Sequence, residues 1–226
     1  MMISRHLPLL VVLSLVGCRS TAETPATAPA PTPEPGVPEA TEAGIARARA
    51  DSARLPYTLA DIRFMTGMIG HHAQAIHISE WAPTHGADAE VQRLAARIIN
   101  AQRDEIRTMQ LWLANRLQPV PEAEHAMMGH HAMPGVEMHG MLTAAQLAEL
   151  DAARGEAFDR LFLRFMIQHH QGAVRMVDEL FATDGAAQDE QVFKFANDVQ
   201  VDQRTEVARM QRMLAERLFA SGGSGQ

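Results

Sequence analysis

Two stretches of the sequence carry the same metal-binding side chains at the same spacing. Each has a methionine followed by two adjacent histidines, namely Met68, His71 and His72 in the first copy and Met166, His169 and His170 in the second. Thioether sulfur and imidazole nitrogen are ligands for soft and borderline metals such as copper and zinc. Their duplication is the first indication of a metal site.

The repeat extends over two helical segments in each half of the chain. Segments starting at Asp61 and Asp159 share Asp, Phe, Met, Ile, His, His and Ala at an offset of 98 residues. Segments starting at Gln102 and Gln203 match at an offset of 101, which pairs Glu105 with Glu206 and Met109 with Met210. Two similar helical hairpins predict an all-α protein in the form of a four-helix bundle with a pseudo-twofold axis.

Helical wheels place these side chains inside the bundle. At about 100° per residue, both histidines of each copy lie beside the methionine in the apolar stripe. Glu105 and Glu206 fall in the middle of the apolar stripes of the other two helices, and Met109 and Met210 lie near them. A buried carboxylate is costly unless it is paired, protonated or bound to metal. The wheels therefore predict a polar layer of four histidines and two glutamates.

This layer has two interpretations. One is a Glu–His hydrogen-bond network that only fixes the register of the helices. The other is a metal site with imidazole and thioether ligands, in which Glu105 and Glu206 are either ligands or groups that orient the histidines. Repetition of Met, His, His, Glu and Met together favours metal. Asp61 and Asp159 also face inward but lie about 10 Å along the helix from the methionine, which favours a role at the helix start.

The loop between the halves, residues 119–142, is a second candidate metal site. Its histidines and methionines are His125, Met127, Met128, His130, His131, Met133, Met138, His139 and Met141. Such ligands favour Cu(I), and imidazole also suits Cu(II). The alternative is a low-complexity exposed loop with incidental methionines.

The N-terminus reads as an export signal. An apolar run over residues 7–16 follows Arg5 and is too short to span a bilayer. It ends in Leu-Val-Gly-Cys, which resembles the lipobox of bacterial lipoproteins and predicts a signal peptide at 1–17 and lipidation of Cys18. An ordinary signal peptide with a stray cysteine is the alternative. Arg19 after the cysteine favours the outer membrane, facing the periplasm.

Composition divides the remaining chain. Residues 18–54 are rich in Pro, Ala and Thr and predict a disordered tether, 55–220 the bundle, and 221–226 a flexible tail. The net charge of −7 argues against nucleic acid as a partner. Cys18 is the only cysteine, so the sequence excludes an internal disulfide and a Cys-type zinc site.

The paired motifs resemble a known bacterial family. F-M-T-G-M-I-G-H-H-A-Q-A-I in the first half and F-M-I-Q-H-H-Q-G-A-V in the second are similar to the domain-of-unknown-function family 305, over about residues 55–218. The resemblance implies a ferritin-like four-helix bundle and export, and for some members periplasmic copper binding linked to copper tolerance. One departure is His77-Ile78, where many relatives place a methionine, whereas the second copy keeps Met176.

These observations favour an exported metal-binding protein that binds copper for buffering, sequestration or tolerance, with zinc or another divalent metal as the alternative ion. A protein partner in metal transfer is compatible with this role. A di-metal oxidase requires Glu-x-x-His on two helices, whereas Glu105 and Glu206 are followed at the third position by Thr108 and Arg209. We therefore expect no enzyme. A structural envelope lipoprotein is the remaining alternative.

Overall fold

The computed structural model describes residues 41–44, 56–127 and 138–222. From residue 56 onward its helices are α1 (Leu59–Ser79), α2 (Ala89–Asn115), α3 (Ala123–Met127), α4 (Ala144–Ala152), α5 (Gly155–Ala182) and α6 (Glu190–Gly222). The described residues contain no strand. The predicted all-α, ferritin-like four-helix bundle is confirmed: α1 with α2 and α5 with α6 form two hairpins, and α3 and α4 lie in the connection between them.

Several predictions fall outside the described residues. These are the signal peptide at 1–17, the lipidation of Cys18, the tether apart from residues 41–44, and the tail from residue 223. Helix α6 extends to Gly222, which is two residues into the predicted tail. In the part of the chain that is described, no helix has both the length and the apolarity needed to cross a membrane.

Local sequence sets the starts of two helices. Thr58 caps α1 by accepting a hydrogen bond from the backbone N–H of Asp61, and the Asp61 carboxylate accepts one in return from the Thr58 N–H. Thr143 and Gln146 form the same reciprocal pair at the start of α4. Both capping boxes can be recognised in the sequence, because this motif acts over only three residues.

Helix α3 was not predicted, and it changes the environment of α1. It packs so closely that a Cβ atom on Gly70 would lie 2.7 Å from the Ala126 carbonyl oxygen. As a result Thr66 and Gly70, which the wheel places on the far side of α1, are both buried. The wheel was incomplete here because it counts only one buried face, whereas the connecting segment covers a second one.

The core consists of two apolar clusters separated by a polar layer. The first contains residues from the N-terminal part of α1 and the C-terminal part of α2, including Phe64 and Met109. It also contains the C-terminal part of α5 and the N-terminal part of α6, so α1 and α5 run antiparallel. The second cluster contains the complementary parts of all four helices, including Phe162 and Met210. Between the two clusters lie the polar positions of the layer. They are the histidines on α1 and α5, and the glutamines and glutamates on α2 and α6.

The duplicated aspartates join the two hairpins. Asp61 of α1 accepts a hydrogen bond from the Ala187 N–H, 2.7 Å away in the turn before α6. Asp159 of α5 accepts one from the Asp88 N–H, 3.1 Å away at the start of α2. The expected role at a helix start is therefore correct for Asp61 within α1, but each aspartate also holds a turn of the opposite hairpin.

Candidate metal centre

The polar layer lies where α1 and α5 cross. His71 and His72 of α1 and His169 and His170 of α5 are all almost completely buried. Because adjacent residues on a helix point about 100° apart, one histidine of each pair faces the opposite hairpin and the other faces its own. The rings of His71 and His169 accordingly meet near the pseudo-twofold axis, with centroids 3.8 Å apart.

The other two histidines pair with the duplicated glutamates. His72 Nε2 lies 2.7 Å from Glu105 Oε2, and His170 Nε2 lies 2.8 Å from Glu206 Oε2. The His170 pair is a well-aligned hydrogen bond, whereas the His72 pair is close but less well aligned. The same contact is thus built twice, once in each hairpin.

The glutamates lie at the edge of the core, which corrects their predicted place in its middle. The side chains of Glu105 and Glu206 are 18% and 15% exposed, while Ile106 beside Glu105 is buried. An edge position lowers the cost of the charge, because part of each carboxylate keeps its hydration. The carboxylates therefore reach into the layer from the side of the bundle.

Burial keeps the central histidines neutral. Desolvation, with a smaller contribution from the neighbouring His72, lowers the pKa of His71 to about 3. Desolvation and then the facing His71 lower the pKa of His169 well below its usual value. At neutral pH both rings are therefore neutral imidazoles, which is the form that binds metals.

The layer is incomplete as a hydrogen-bond network. Among the described residues, Nδ1 of all four histidines lacks a hydrogen-bond partner, and so does Nε2 of His169, while Nε2 of His72 has only its poorly aligned contact with Glu105. The buried side-chain oxygens of Gln102 and Gln203 lack one as well. Buried polar groups that serve only to fix register are normally satisfied. The unpartnered nitrogens are what a bound metal ion would satisfy.

The methionines complete a repeated set of donors. Met68, Met109, Met166 and Met210 are fully buried. Residues four apart share one side of a helix, so Met68 lies with His72 on α1, and Met109 with Glu105 on α2. We call Met68, His72, Glu105 and Met109 the first half-site, and Met166, His170, Glu206 and Met210 the second half-site. Met68 and Met109 belong to the first apolar cluster, and Met166 and Met210 to the second.

Nitrogen and oxygen ligands do not form a metal site by themselves. Within the described residues, no three His, Cys, Asp or Glu side chains are grouped closely enough to hold an ion. A metal ion in either half-site therefore needs methionine sulfur in its coordination shell, or a movement of side chains when it binds. Sulfur ligands select for soft ions.

The loop candidates are only partly described. Met128, His130, His131 and Met133 lie outside the described residues. His125 and Met127 belong to α3, and Met138, His139 and Met141 lie partly buried just before α4. The structure therefore places members of the loop set on both sides of the undescribed stretch.

His139 joins the loop to the layer, a role that the sequence did not predict. Its backbone carbonyl lies 2.9 Å from His71 Nε2, and its own Nε2 lies 2.7 Å from Glu179 Oε1. Gly172 allows this approach, because a Cβ atom there would lie 1.9 Å from the His139 carbonyl oxygen. Gln74 also holds the chain by bonding both backbone groups of Leu142. In the repeat, Gly172 of the second copy aligns with Gln74 of the first. This difference was the only signal in the sequence for the contact between the loop and the layer.

An acidic cleft connects solvent with the layer. It has a volume of about 600 Å³, lies between α2 and α6, and includes Glu105 and Met65 in its lining. Asp104, Asp198 and Asp202 also line it. Burial, followed by repulsion from Glu105 and Glu206, raises the pKa of Asp202. The cleft thus concentrates negative charge on the outer side of the first half-site.

Comparison with known proteins shows close fold relatives. Residues 61–214 match the family model described as Domain of unknown function (DUF305). A crystal structure of a DUF305 fragment from Deinococcus radiodurans is 32% identical, covering 71% of this chain and 99% of that one with a TM-score of 0.59. An uncharacterized protein, L153, of Acanthamoeba polyphaga mimivirus is 38% identical over 56 residues, which is 25% of this chain and 37% of that protein.

Solved structures of the protein CopM are similar as well. Its Cu(II)-bound form is 32% identical, covering 69% of this chain and 96% of CopM with a TM-score of 0.55. Its Cu(I)-bound form is 29% identical, covering 71% of this chain and 98% of CopM with a TM-score of 0.53. CopM has also been solved with silver bound.

Proposed function

The chain belongs to the DUF305 family, and from this premise we propose that it binds copper in the cell envelope and serves to buffer or sequester the ion. The observation that carries the proposal is the repeated half-site. In each one, a buried histidine with an unpartnered nitrogen shares a helix face with one buried methionine and contacts a glutamate that shares a helix face with another. Copper here is the cargo of the protein. The similarity to CopM, which was solved with Cu(I), Cu(II) and silver, supports the same class of ion.

The donor set favours Cu(I) over hard cations. Thioether sulfur is a soft ligand, and neutral imidazole binds copper without first losing a proton from a charged ring. The apolar clusters on both sides of the layer keep water away from the sulfurs. Magnesium and calcium prefer shells of six or more oxygen ligands, whereas the side chains of the layer supply oxygen only through Glu105, Glu206, Gln102 and Gln203. Zinc remains the alternative ion, since imidazole and carboxylate suit it.

Binding, rather than catalysis, fits the carboxylates of the layer. Di-metal oxidases on this type of bundle use a glutamate from each of four helices and two histidines. The half-sites supply one glutamate each, and each glutamate contacts a histidine. We therefore propose a binding protein and not an oxidase.

The proposal includes a location in the cell envelope. The lipobox-like sequence before Cys18 supports export and attachment to a membrane through a lipid, in the outer membrane facing the periplasm. Replacement Cys18→Ala should move the protein from the membrane fraction to the soluble envelope fraction. Persistent membrane association of that variant would argue against the anchor and leave copper binding unaffected as a proposal.

Copper titration tests the function. The variant His72→Ala/His170→Ala removes one imidazole from each half-site, and competition with a Cu(I) chelator measures the bound copper. We expect the bundle-bound ions to be lost. The matched control is His77→Ala, on the same helix as His72 but facing away from the layer. Equal copper binding by the double variant and the wild-type protein would refute the half-sites.

A second titration separates the bundle from the loop. Deletion of residues 125–141 removes every histidine and methionine of the loop and leaves both half-sites in place. We expect fewer bound copper ions and an unchanged contribution from the half-sites. If all copper binding disappears with the loop while circular dichroism shows a folded bundle, the loop alone is the site.

A further inference from the structure

The four buried histidines follow a common pattern of ring contacts, with Nε2 of His169 as the one exception among them. In three of them Nε2 faces an oxygen atom: the carbonyl of His139 for His71, Glu105 for His72 and Glu206 for His170. In all four, Nδ1 has no hydrogen-bond partner among the described residues. The nitrogen that faces an acceptor and the nitrogen that is unpartnered are thus the same in both hairpins.

Acceptors at Nε2 determine where the ring proton is. A backbone carbonyl and an ionised carboxylate only accept hydrogen bonds, so the nitrogen that faces them must carry the proton. A neutral imidazole has a single N–H, and the lone pair is then on Nδ1. Turning a ring over would place a C–H group against the acceptor and lose the contact.

We propose that His71, His72 and His170 bind metal through Nδ1, and that Glu105, Glu206 and the backbone carbonyl of His139 are positioning groups that keep the proton on Nε2. The inference rests on the proposed copper binding and deepens it. It decides between the two roles that the sequence leaves open for the glutamates: they orient the histidines and are not ligands. Proteins commonly orient a metal-binding histidine with an acceptor on its second nitrogen.

Burial strengthens the assignment for the two glutamate-paired rings. If His72 or His170 carried a proton on both nitrogens, the N–H at Nδ1 would be a buried donor without an acceptor. If the proton were on Nδ1 alone, the Nε2 lone pair would face the lone pairs of the carboxylate at 2.7 or 2.8 Å. Only the form with Nε2–H leaves the ring with a good contact and a lone pair free for a ligand.

Conservative substitution separates a positioning group from a ligand. In Glu105→Gln/Glu206→Gln the amide oxygen still accepts a hydrogen bond from Nε2–H, whereas a neutral amide is a poor ligand for copper. We expect this variant to keep the copper stoichiometry of the wild-type protein. In Glu105→Ala/Glu206→Ala the rings lose their acceptors, and we expect affinity to fall by about 10- to 100-fold. Equal losses in the Gln and Ala variants would show that the glutamates are ligands.

Nitrogen NMR reads the assignment directly on the full-length protein. Long-range ¹H–¹⁵N correlation spectra of histidine-labelled protein distinguish protonated, unprotonated and metal-bound ring nitrogens, and Cu(I) is diamagnetic. Without metal, we expect His71, His72 and His170 to show Nε2–H. With Cu(I), we expect their Nδ1 resonances to shift while Nε2 stays protonated. His85 is the matched control, because its Nε2 faces the Asp151 carbonyl oxygen outside the layer and should not respond to Cu(I).

The outcomes separate this inference from the proposed function. A shift of Nε2 in place of Nδ1 on Cu(I) addition overturns the inference and leaves copper binding intact. Nδ1–H signals from His72 and His170 in the metal-free protein overturn it as well. No shift of any layer histidine at saturating Cu(I) refutes copper binding in the half-sites, and with it the inference.

Discussion

The two halves of the molecule build the same polar layer in different surroundings. Helix α1 is buried on most sides, because α3 packs against Gly70 and the chain near His139 covers His71. Helix α5 keeps an exposed face that carries Arg164 and Arg175. His72 and His170 nevertheless contact Glu105 and Glu206 at nearly the same distance. The layer is therefore a property of the repeat itself, and not a result of how each half happens to be covered.

The ends of the bundle differ in the same way. Arg116 and Asp189 form an ion pair in which the side chains are only 3% and 5% exposed. At the opposite end the equivalent pair, Arg217 and Asp88, is 15% and 53% exposed. Duplicated residues thus make duplicated contacts at both ends, and the two copies differ mainly in how far water is excluded from them.

The largest difference between the halves should appear on removing these arginines. Arg116→Ala leaves the Asp189 carboxylate buried without its partner and removes the guanidinium stacked on Trp112, so we expect a loss of about 3–5 kcal/mol in the free energy of unfolding. Arg217→Ala removes a more exposed pair with Asp88 together with a longer contact, 3.7 Å, to the buried Asp159, which keeps its hydrogen bond from the Asp88 N–H. It should therefore cost less, about 1–2 kcal/mol. Urea unfolding followed by circular dichroism measures both. Equal losses would mean that burial does not distinguish the two ends.

A smaller effect is expected where the loop meets α5. Gly172→Ala would place a methyl group against the His139 carbonyl, which is backbone and cannot easily move away. Although alanine is the better helix former by about 1 kcal/mol, overpacking of this kind typically costs about 1–3 kcal/mol, so we expect net destabilisation. Gln171→Ala, at the exposed position next to Gly172 on α5, is the control. A stabilised Gly172→Ala variant would show that the loop does not contact α5 in solution.

A more gradual effect concerns the dependence of stability on pH. Burial holds the pKa of His71 near 3 in the folded state, against an unfolded value near 6.5. Between these values the unfolded chain binds a proton that the folded chain does not, so stability should decrease as pH falls from 6.5 towards 3. The slope for this one group is at most about 1.4 kcal/mol per pH unit.

Thermal unfolding between pH 7 and pH 4 measures this slope, and His71→Ala against His77→Ala assigns it. His77 lies only partly buried on the same helix. The His71 variant should lose part of the pH dependence, while the His77 variant should keep it. If the His71 variant kept the pH dependence and the His77 variant lost it, His71 would have to be charged in the folded protein.

Local rules were sufficient for most of the bundle. The helix starts at Thr58 and Thr143 follow from capping boxes, and the 3.6-residue period placed the four histidines in the interior. The repeat paired Glu105 with Glu206, although their place at the edge of the core could not be read from a wheel. A helical wheel contains no information on the distance to the neighbouring helix. Here α2 and α6 are far enough apart to leave a cleft beside Glu105, which exposes part of its side chain.

Contacts between distant parts of the chain could not be predicted from the sequence. The carbonyl of His139 reaches His71 across 68 residues, and a backbone group leaves no trace in a side-chain pattern. Helix α3 was not predicted either, because five residues are too few to show a helical period of apolar residues. The side-chain oxygens of Gln102 and Gln203 lack partners, but nothing in one sequence marks these residues as neighbours of the buried histidines.

The division of the core into two apolar clusters bears on the origin of the fold. Each cluster contains part of each of the four long helices, so a single hairpin cannot complete either cluster, whereas two identical hairpins could complete both as a twofold dimer. In such a symmetric dimer, the same segments must cover both copies. Joining them in one chain removes that requirement. The two copies can then differ outside the layer, and here one is covered by the connecting segment while the other has a face open to solvent.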